Sequence, residues 1–202
     1  MEYIDELIKK YDELFVGQIS NGIQQSKDEI KQVAEYIGDR KFNNMAEGGV
    51  DDAGSFWLYA NLFLNKDGGK FTAIDPRIKP IVNSVAKYLE ENYDVKTEVI
   101  RSKSINTNLH DLDFVHIDGW HAYESVKEDF YHFYPRVVAG GIIIMHDTVC
   151  MEGVKKFKDE LEAEGKYRMV SFKGEGIITR NRRIQRKAFP GYLTGITIIH
   201  KE

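Results

Sequence analysis

The sequence predicts an α/β fold with a doubly wound, mostly parallel sheet, an antiparallel strand at its C-terminal end and a helical extension at its N-terminus. Short apolar runs alternate with helical segments of roughly a dozen residues, the pattern of right-handed βαβ crossovers. Two final strand-like runs, residues 167–172 and 193–200, have no helix between them, so they should pair as an antiparallel hairpin. The chain has 202 residues, enough for one such domain but hardly for two.

The first 37 residues are expected to form two helices that precede the first strand. Apolar residues recur at helical spacing along one face, at Ile4, Leu7, Ile8, Tyr11, Leu14 and Phe15. Ser20-Asn21-Gly22 marks a break, and Ser26 followed by Glu29 resembles a capping box that begins a second helix. We expect residues 1–37 to cap the sheet or to provide a partner surface, such as that of a homodimer, and residues 38–202 to form the main domain.

The elements of the main domain follow from apolar runs and the turn residues that end them. Residues 44–46 form a short strand, 47–54 a glycine-rich loop and 55–65 a helix. Gly68-Gly69 turns the chain into a strand at 70–74, which Asp75-Pro76 ends. A helix at 81–92, a strand at 96–100, a strand at 114–117 and a helix at 122–134 come next. A Gly140-Gly141 turn, a strand at 142–145 and a helix at 152–164 complete the alternation.

Composition and charge exclude several classes of partner. Hydrophobic content of 42% and charged content of 30% describe an ordinary globular protein, and a net charge of −4 gives no reason to expect nucleic acid or an acidic membrane surface. No apolar run approaches a membrane span, and Cys150, the sole cysteine, cannot form an internal disulfide. We therefore expect a cytoplasmic protein. The basic run at 180–187 is interpreted as a solvated loop, with a rim for an acidic acceptor as the alternative.

Residues 114–148 carry the strongest functional signal. Two apolar strands there end in titratable residues, so the sheet should present Asp118, His121, His146 and Asp147 at one edge. Ligands bind at that carboxyl edge in open α/β sheets, and polar groups placed directly behind apolar strands are costly without a purpose.

A glycine-rich loop and a strand-end acid indicate a nucleoside-containing ligand. The loop at 47–54 lets the backbone approach a ligand, although its glycines do not have dinucleotide-binding spacing and Asp51-Asp52 would repel a pyrophosphate. Asp75 ends the next strand and could accept hydrogen bonds from ribose hydroxyls. The alternatives are a mere tight turn for the loop and a turn cap before Pro76 for Asp75.

With these residues in view, the chain resembles class I S-adenosylmethionine-dependent methyltransferases. It is most similar to the small-molecule O-methyltransferase group that includes macrolide-sugar and rhamnosyl O-methyltransferases and cephalosporin-hydroxylase-like proteins. The likeness rests on Glu47, Gly49, Gly54 and Ser55 in the first motif, where Ala53 replaces the family's usual glycine. It also rests on I-D-G-x-H-x-Y-x-x-V-x-x-D at 117–129 and on Gly-Gly-x-x-x-x-His-Asp at 140–147, and it covers about residues 44–148.

The resemblance implies a Rossmann-like fold and S-adenosylmethionine as the cofactor. Glu47 and Gly49 would border its methionine part, with Ser55 and Asp118 as further candidate contacts. Asp75 would hold the ribose, and Ser102, with Ser104 as the alternative, would lie near the adenine. The acceptor would be a hydroxyl of a small molecule.

Histidines and aspartates in the 114–148 segment suit methyl transfer to oxygen. His121 resembles the general base of the sugar O-methyltransferases, and histidine has a suitable pKa for that task. Asp118 and Asp147 are plausible ligands of Mg²⁺. Metal-dependent relatives carry an acid where this chain has His146, so His146 either joins the two aspartates in binding Mg²⁺ or another divalent cation, or fills the core without a metal. Asp129 is expected on the helix surface or in a salt bridge.

Two other functions remain open from the sequence. A nicotinamide-dependent Rossmann oxidoreductase would share the sheet, although Asp51-Asp52 and the glycine spacing count against it. A non-catalytic nucleoside-binding protein would keep the loop and Asp75 without turnover.

Overall fold

The computed structural model describes residues 2–15, 17–18, 22–175 and 193–202. The basic run at 180–187, and Ser20 and Asn21 of the predicted break, lie outside the described residues. Within the described ranges the helices are α1 (Glu2–Leu14), α2 (Lys27–Ile37), α3 (Gly54–Phe63), α4 (Pro80–Asn92), α5 (Tyr123–Phe133) and α6 (Glu152–Glu164). The strands are β1 (Asn44–Gly48), β2 (Asp67–Ile74), β3 (Asp94–Ile100), β4 (Leu112–Ile117), β5 (Val137–Met145), β6 (Arg168–Glu175) and β7 (Leu193–His200).

The predicted α/β fold is confirmed. The strands form one sheet in the order β3-β2-β1-β4-β5-β7-β6 across the described residues. The pairings from β3 to β5 are all parallel, whereas β7 runs antiparallel to both β5 and β6. β6 and β7 therefore pair as predicted, but the chain places β7, not β6, next to β5. The absence of a helix between the two runs predicts that they pair and does not determine which of them lies next to β5.

Three predicted loops or turns instead lie within strands, because strand pairing extends further than the apolar runs. Glu47 and Gly48, predicted as loop, belong to β1 and pair with Ala73 and Ile74. The predicted Gly68-Gly69 turn is a bulge inside β2, where the register shifts between Asp67 and Gly69. The predicted Gly140-Gly141 turn likewise lies within β5, where Gly140 N and Gly141 O bond to the backbone of Lys201.

The N-terminal helices share one apolar core with the sheet. Trp57 on α3 is fully buried and donates a hydrogen bond from Nε1 to the Leu7 carbonyl at 2.9 Å. Tyr11 is also fully buried, with its ring centroid 6.4 Å from that of Trp57. Burial of large aromatic rings contributes about 3 kcal/mol or more each, so α1 is firmly attached to the fold.

The start of α2 has the predicted capping box. The Ser26 side chain accepts from the Asp28 amide, and the Glu29 side chain accepts from the Ser26 amide. The helix then packs on β6. Among the described residues, no helix combines the length and apolar character that crossing a membrane requires.

Candidate active site

A cavity of about 930 Å³ lies at the carboxyl edge of the sheet. Its lining includes Gly49, Asp75, Asp118 and His146, which directly follow β1, β2, β4 and β5. The strand order reverses between β1 and β4, and ligands of open α/β sheets bind at such a point. The volume lies at the upper end of the range for cofactor and small-molecule sites. The edge of the sheet that is predicted to hold the site therefore contains a cavity.

The loop after β1 is built by close backbone approach. Gly49 has φ +88°, and a Cβ there would lie 2.6 Å from Gly119 Cα. The amide of Gly49 donates to the Ile74 carbonyl at 2.8 Å, and the Asp118 amide donates to the Gly48 carbonyl at 2.8 Å. The positive φ and the close approach to Gly119 both require glycine at position 49. The two hydrogen bonds hold the ends of β1, β2 and β4 together.

Ala53 occupies a backbone conformation that favours glycine. Its φ is +62° at the N-cap of α3, and the side chain makes no capping hydrogen bond. An alanine in this region costs about 1–2 kcal/mol relative to glycine, which explains why the similar motif usually has glycine there. Beyond it, a Cβ at Gly54 would lie 2.7 Å from Ile23 Cα, so the segment before α2 covers the start of α3.

The two residues predicted to hold the nucleoside lie on the cavity wall. Asp75 accepts hydrogen bonds from the amides of Val50 at 3.2 Å and Arg77 at 2.7 Å. The contact with Arg77 is the turn cap considered as an alternative, and it leaves acceptor capacity on both carboxylate oxygens. Ser102 lines the cavity as well, and so does Ser104.

Glu47 lies beneath the cavity and is not among the described residues that line it. It is fully buried, accepts a hydrogen bond from Ser55, and has Oε1 3.2 Å from His116 Nδ1. Burial raises the pKa of Glu47, opposed by His116 and Ser55. Ser55, which donates to Glu47, does line the cavity.

Asp118, His121 and Asp147 converge as predicted. His121 Nε2 lies 3.1 Å from Asp147 Oδ2 and 3.6 Å from Asp118 Oδ1. One ligand atom from each of the three residues fits within a 4.8 Å span, the spacing of a metal-binding group. The Asp118 carboxylate raises the pKa of His121 above its usual value, against the effect of burial.

His146 lies behind this group, 4% exposed. Its Nδ1 is 3.4 Å from Asp118 Oδ1 and 3.5 Å from Asp147 Oδ1, yet neither ring nitrogen has a hydrogen-bond partner among the described residues. Burial alone would lower the pKa of His146, but Asp118 and Asp147 raise it well above the usual value. Reciprocally, His146 lowers the pKa of both aspartates although their burial acts in the opposite direction.

Four of the residues in or beside the site that are not predicted from the sequence are Gln25, Glu29, His116 and Asp129. Gln25 donates from Nε2 to Asp118 Oδ2 at 3.2 Å, and Glu29 places Oε2 3.6 Å from His146 Nε2. His116 is buried in β4 beside Glu47. Its signal was present in the sequence, because a histidine inside an apolar strand requires a polar partner.

Asp129 is the fourth. It was expected on the helix surface or in a salt bridge, but it lines the cavity, and a Cβ at Gly119 would lie 3.4 Å from its Oδ2. Burial raises the pKa of Asp129 to about 6.

Acidic side chains dominate the cavity. Of the described lining residues, two are arginine or lysine, Arg77 and Lys103, and seven are acidic: Asp51, Asp52, Asp75, Asp118, Glu128, Asp129 and Asp147. Lys79 forms ion pairs with Asp51 and Asp52. The remaining excess is negative, which favours a cationic ligand and opposes a polyanion.

Comparisons with known proteins agree with this geometry. Residues 49–148 match a family described as a methyltransferase domain. A search of curated proteins gives no match. Among solved structures, the O-methyltransferase TomG from Streptomyces achromogenes, in complex with SAM, is 15% identical, with a TM-score of 0.62 over 100% of this chain and 91% of that chain.

Two further structures are similar. An O-methyltransferase from Bacillus cereus, in complex with SAH, is 16% identical, with a TM-score of 0.61 over 100% of this chain and 91% of that chain. The N-methyltransferase NodS from Bradyrhizobium japonicum, in complex with SAH, is 10% identical, with a TM-score of 0.55 over 85% of this chain and 83% of that chain. At these identities the similarity establishes a shared fold, and the fold is common to transfer to oxygen and to nitrogen.

Proposed function

Because residues 49–148 match a family described as a methyltransferase domain and the chain shares its fold with solved methyltransferases, we propose that it transfers a methyl group from S-adenosylmethionine to a hydroxyl of a small molecule. The observation that carries this proposal is the composition of the cavity. The cavity is lined by the loop of Gly49 with Asp75 and Ser102, and also by His121, which lies beside Asp118 and Asp147.

The residues around Gly49 fit the cofactor. Gly49 lines the cavity without a side chain, so a ligand there can approach its backbone closely. Asp75 is the proposed ribose contact and Ser102 the proposed adenine contact. The negative charge of the cavity suits a sulfonium and an ammonium group. S-adenosylmethionine, when bound, supplies a methyl group that is activated as an electrophile by the sulfonium sulfur.

His121 is the proposed general base. An acceptor oxygen that forms a bond to carbon must lose its proton, and a histidine at the cavity wall can take it. The neighbouring Asp118 raises the pKa of His121, so the imidazole is neutral, and able to act as a base, only above that raised pKa. Activity should therefore increase with pH across the titration of His121.

The acidic group also fits a divalent cation. Asp118 and Asp147 supply hard oxygen ligands, and His121 or His146 supplies nitrogen. Two buried nitrogens that lack hydrogen-bond partners among the described residues, His121 Nε2 and His146 Nδ1, face those oxygens. A cation held there would lower the pKa of an acceptor hydroxyl. If His121 Nε2 binds the cation, that nitrogen cannot also take the proton.

A small, uncharged or cationic acceptor is proposed. The acidic lining would repel a phosphate-rich acceptor or nucleic acid. The two similar O-methyltransferases support transfer to oxygen.

Calorimetry with S-adenosylhomocysteine tests the cofactor site directly. Wild type should bind, and Asp75→Asn should bind more weakly, whereas Asp39→Asn on the exposed surface should bind as wild type does. Turnover on hydroxylated and amine acceptors, with and without a chelator, then tests the acceptor atom and the cation. Absence of S-adenosylhomocysteine binding, or enhanced NADH fluorescence in its place, would overturn the proposal.

A further inference from the structure

Helix α2 brings a fully buried carboxylate to the back of the candidate active site. Glu29 Oε2 accepts a hydrogen bond from the Ser26 amide at 3.1 Å and lies 3.6 Å from His146 Nε2. The other oxygen, Oε1, has no hydrogen-bond partner among the described residues. A capping box functions equally well at the protein surface, so capping alone does not account for a buried, half-satisfied carboxylate.

The imidazole of His146 connects Glu29 to the two aspartates. Its Nε2 faces Glu29, and its Nδ1 lies 3.4 Å from Asp118 Oδ1 and 3.5 Å from Asp147 Oδ1. Because the ring is rigid and its two nitrogens are on different edges, a negative charge beside Nε2 keeps a proton on that nitrogen. Without a cation, the two aspartates favour a second proton on Nδ1. A cation shared with Asp118 and Asp147 would replace that second proton, and the lone pair of Nδ1 would then bind it.

The surrounding structure keeps Glu29 in place. A Cβ at Gly174 on β6 would lie 2.7 Å from Glu29 Cγ, so that side offers no room for the carboxylate to withdraw. From the same N-terminal segment, Gln25 donates to Asp118 Oδ2 at 3.2 Å. The N-terminal segment therefore contacts Asp118 through Gln25 and His146 through Glu29.

We propose that Glu29 is a positioning residue that fixes the orientation and tautomer of His146, so that Nδ1 completes a cation-binding group with Asp118 and Asp147. Histidines that bind metals usually have a carboxylate beside their second N–H, and loss of such a partner costs about 10- to 100-fold in metal affinity or activity. Glu29 Oε2 lies 3.6 Å from Nε2, beyond hydrogen-bond distance, so its effect on His146 is that of a neighbouring negative charge. On this proposal the N-terminal helices are part of the site. The cation-binding half rests on the proposed function, whereas the contact between Glu29 and His146 does not.

The test compares Glu29→Gln with Glu35→Gln. Glutamine at position 29 keeps an oxygen that can accept from the Ser26 amide but removes the charge beside His146. Glu35→Gln removes an exposed charge from the same helix. Calorimetric titration with Mn²⁺ alone should show a dissociation constant about tenfold higher for Glu29→Gln and unchanged for Glu35→Gln. If Glu29→Gln does not fold, Glu29→Asp, which retracts the carboxylate, replaces it.

A second measurement is independent of the cation. Imidazole ¹⁵N spectra at fixed pH, with the His146 signals identified by their loss in His146→Asn, should change in Glu29→Gln and not in Glu35→Gln. Unchanged His146 signals would overturn the contact. Changed signals with an unchanged Mn²⁺ dissociation constant would overturn the positioning role. If wild type binds no Mn²⁺, the cation-binding half fails together with the cation in the proposed function, and the spectra still decide the contact.

Discussion

Replacing Asp129 with asparagine should stabilise the protein at neutral pH and have little effect in mild acid. Burial at the cavity wall raises the pKa of Asp129 from its usual 3.8 to about 6. An acid whose pKa is raised by folding favours the folded state while it is protonated, and that contribution is lost as the pH rises through the folded value. A difference of about 2 in pKa corresponds to about 3 kcal/mol. Asp129→Asn carries no charge at any pH, so it should gain up to this amount over wild type above about pH 6.

Urea unfolding, followed by the fluorescence of Trp57 and Trp120, measures this gain. The free energy of unfolding is determined for both proteins from about pH 4 to about pH 8. The difference between them should rise along a titration curve and level off above the folded pKa of Asp129. Asp39→Asn, at an exposed position, should give a difference that does not follow this curve. A difference for Asp129→Asn that is the same at every pH would refute the burial of the ionised carboxyl.

Substitutions at Gly49, Glu47 and His121 test the loop after β1, the buried acid beneath it and the proposed general base. Gly49→Ala should destabilise by more than about 2 kcal/mol, since both φ and the 2.6 Å approach to Gly119 oppose a methyl group. Gly165→Ala, with φ +62° and open surroundings, should cost only about 1 kcal/mol in the same urea measurement. Glu47→Ala should lower the free energy of unfolding by about 3 kcal/mol, and Glu47→Gln should lower it clearly less, because glutamine can still accept a hydrogen bond from Ser55. Equal decreases for the two variants would contradict this. His121→Asn should lower kcat about 10²- to 10⁴-fold while calorimetry shows unchanged S-adenosylhomocysteine affinity, and an unaltered kcat would exclude His121 as the base.

The sequence was informative where local pattern and topology act together. Apolar runs that end in Asp118 and His146-Asp147 identify two strands, and parallel neighbours necessarily bring their carboxyl ends to one edge. This reasoning does not depend on side-chain packing. The sheet and the convergence of the acids and histidines can therefore both be predicted from the sequence.

The N-terminal contribution to the site could not be reached in the same way. Gln25 and Asp118 are 93 positions apart, and their contact depends on how α2 packs against β6. Glu29 has a correct local signal as part of the capping box, and its spacing four residues before Val33 places it on the buried face of α2. Helical spacing does not identify what such a residue contacts, and the packing of Glu29 against Gly174 and His146 follows only from the tertiary structure.

The sequence leaves two roles open for His146. It either binds a cation or fills the core without a metal. A histidine that merely fills a core satisfies its ring nitrogens with hydrogen bonds, because an unsatisfied buried polar group costs about 1–3 kcal/mol. His146 is 4% exposed, and neither nitrogen has such a bond among the described residues, although three carboxylates lie within 3.6 Å. Distances of 3.4–3.5 Å from Nδ1 to the oxygens of Asp118 and Asp147 are too long for hydrogen bonds, but they suit ligands that share one cation at about 2.0–2.2 Å. The geometry around His146 therefore favours a ligand-binding role over a core-filling one, and it gives the buried charge of Glu29 a reason to be where it is.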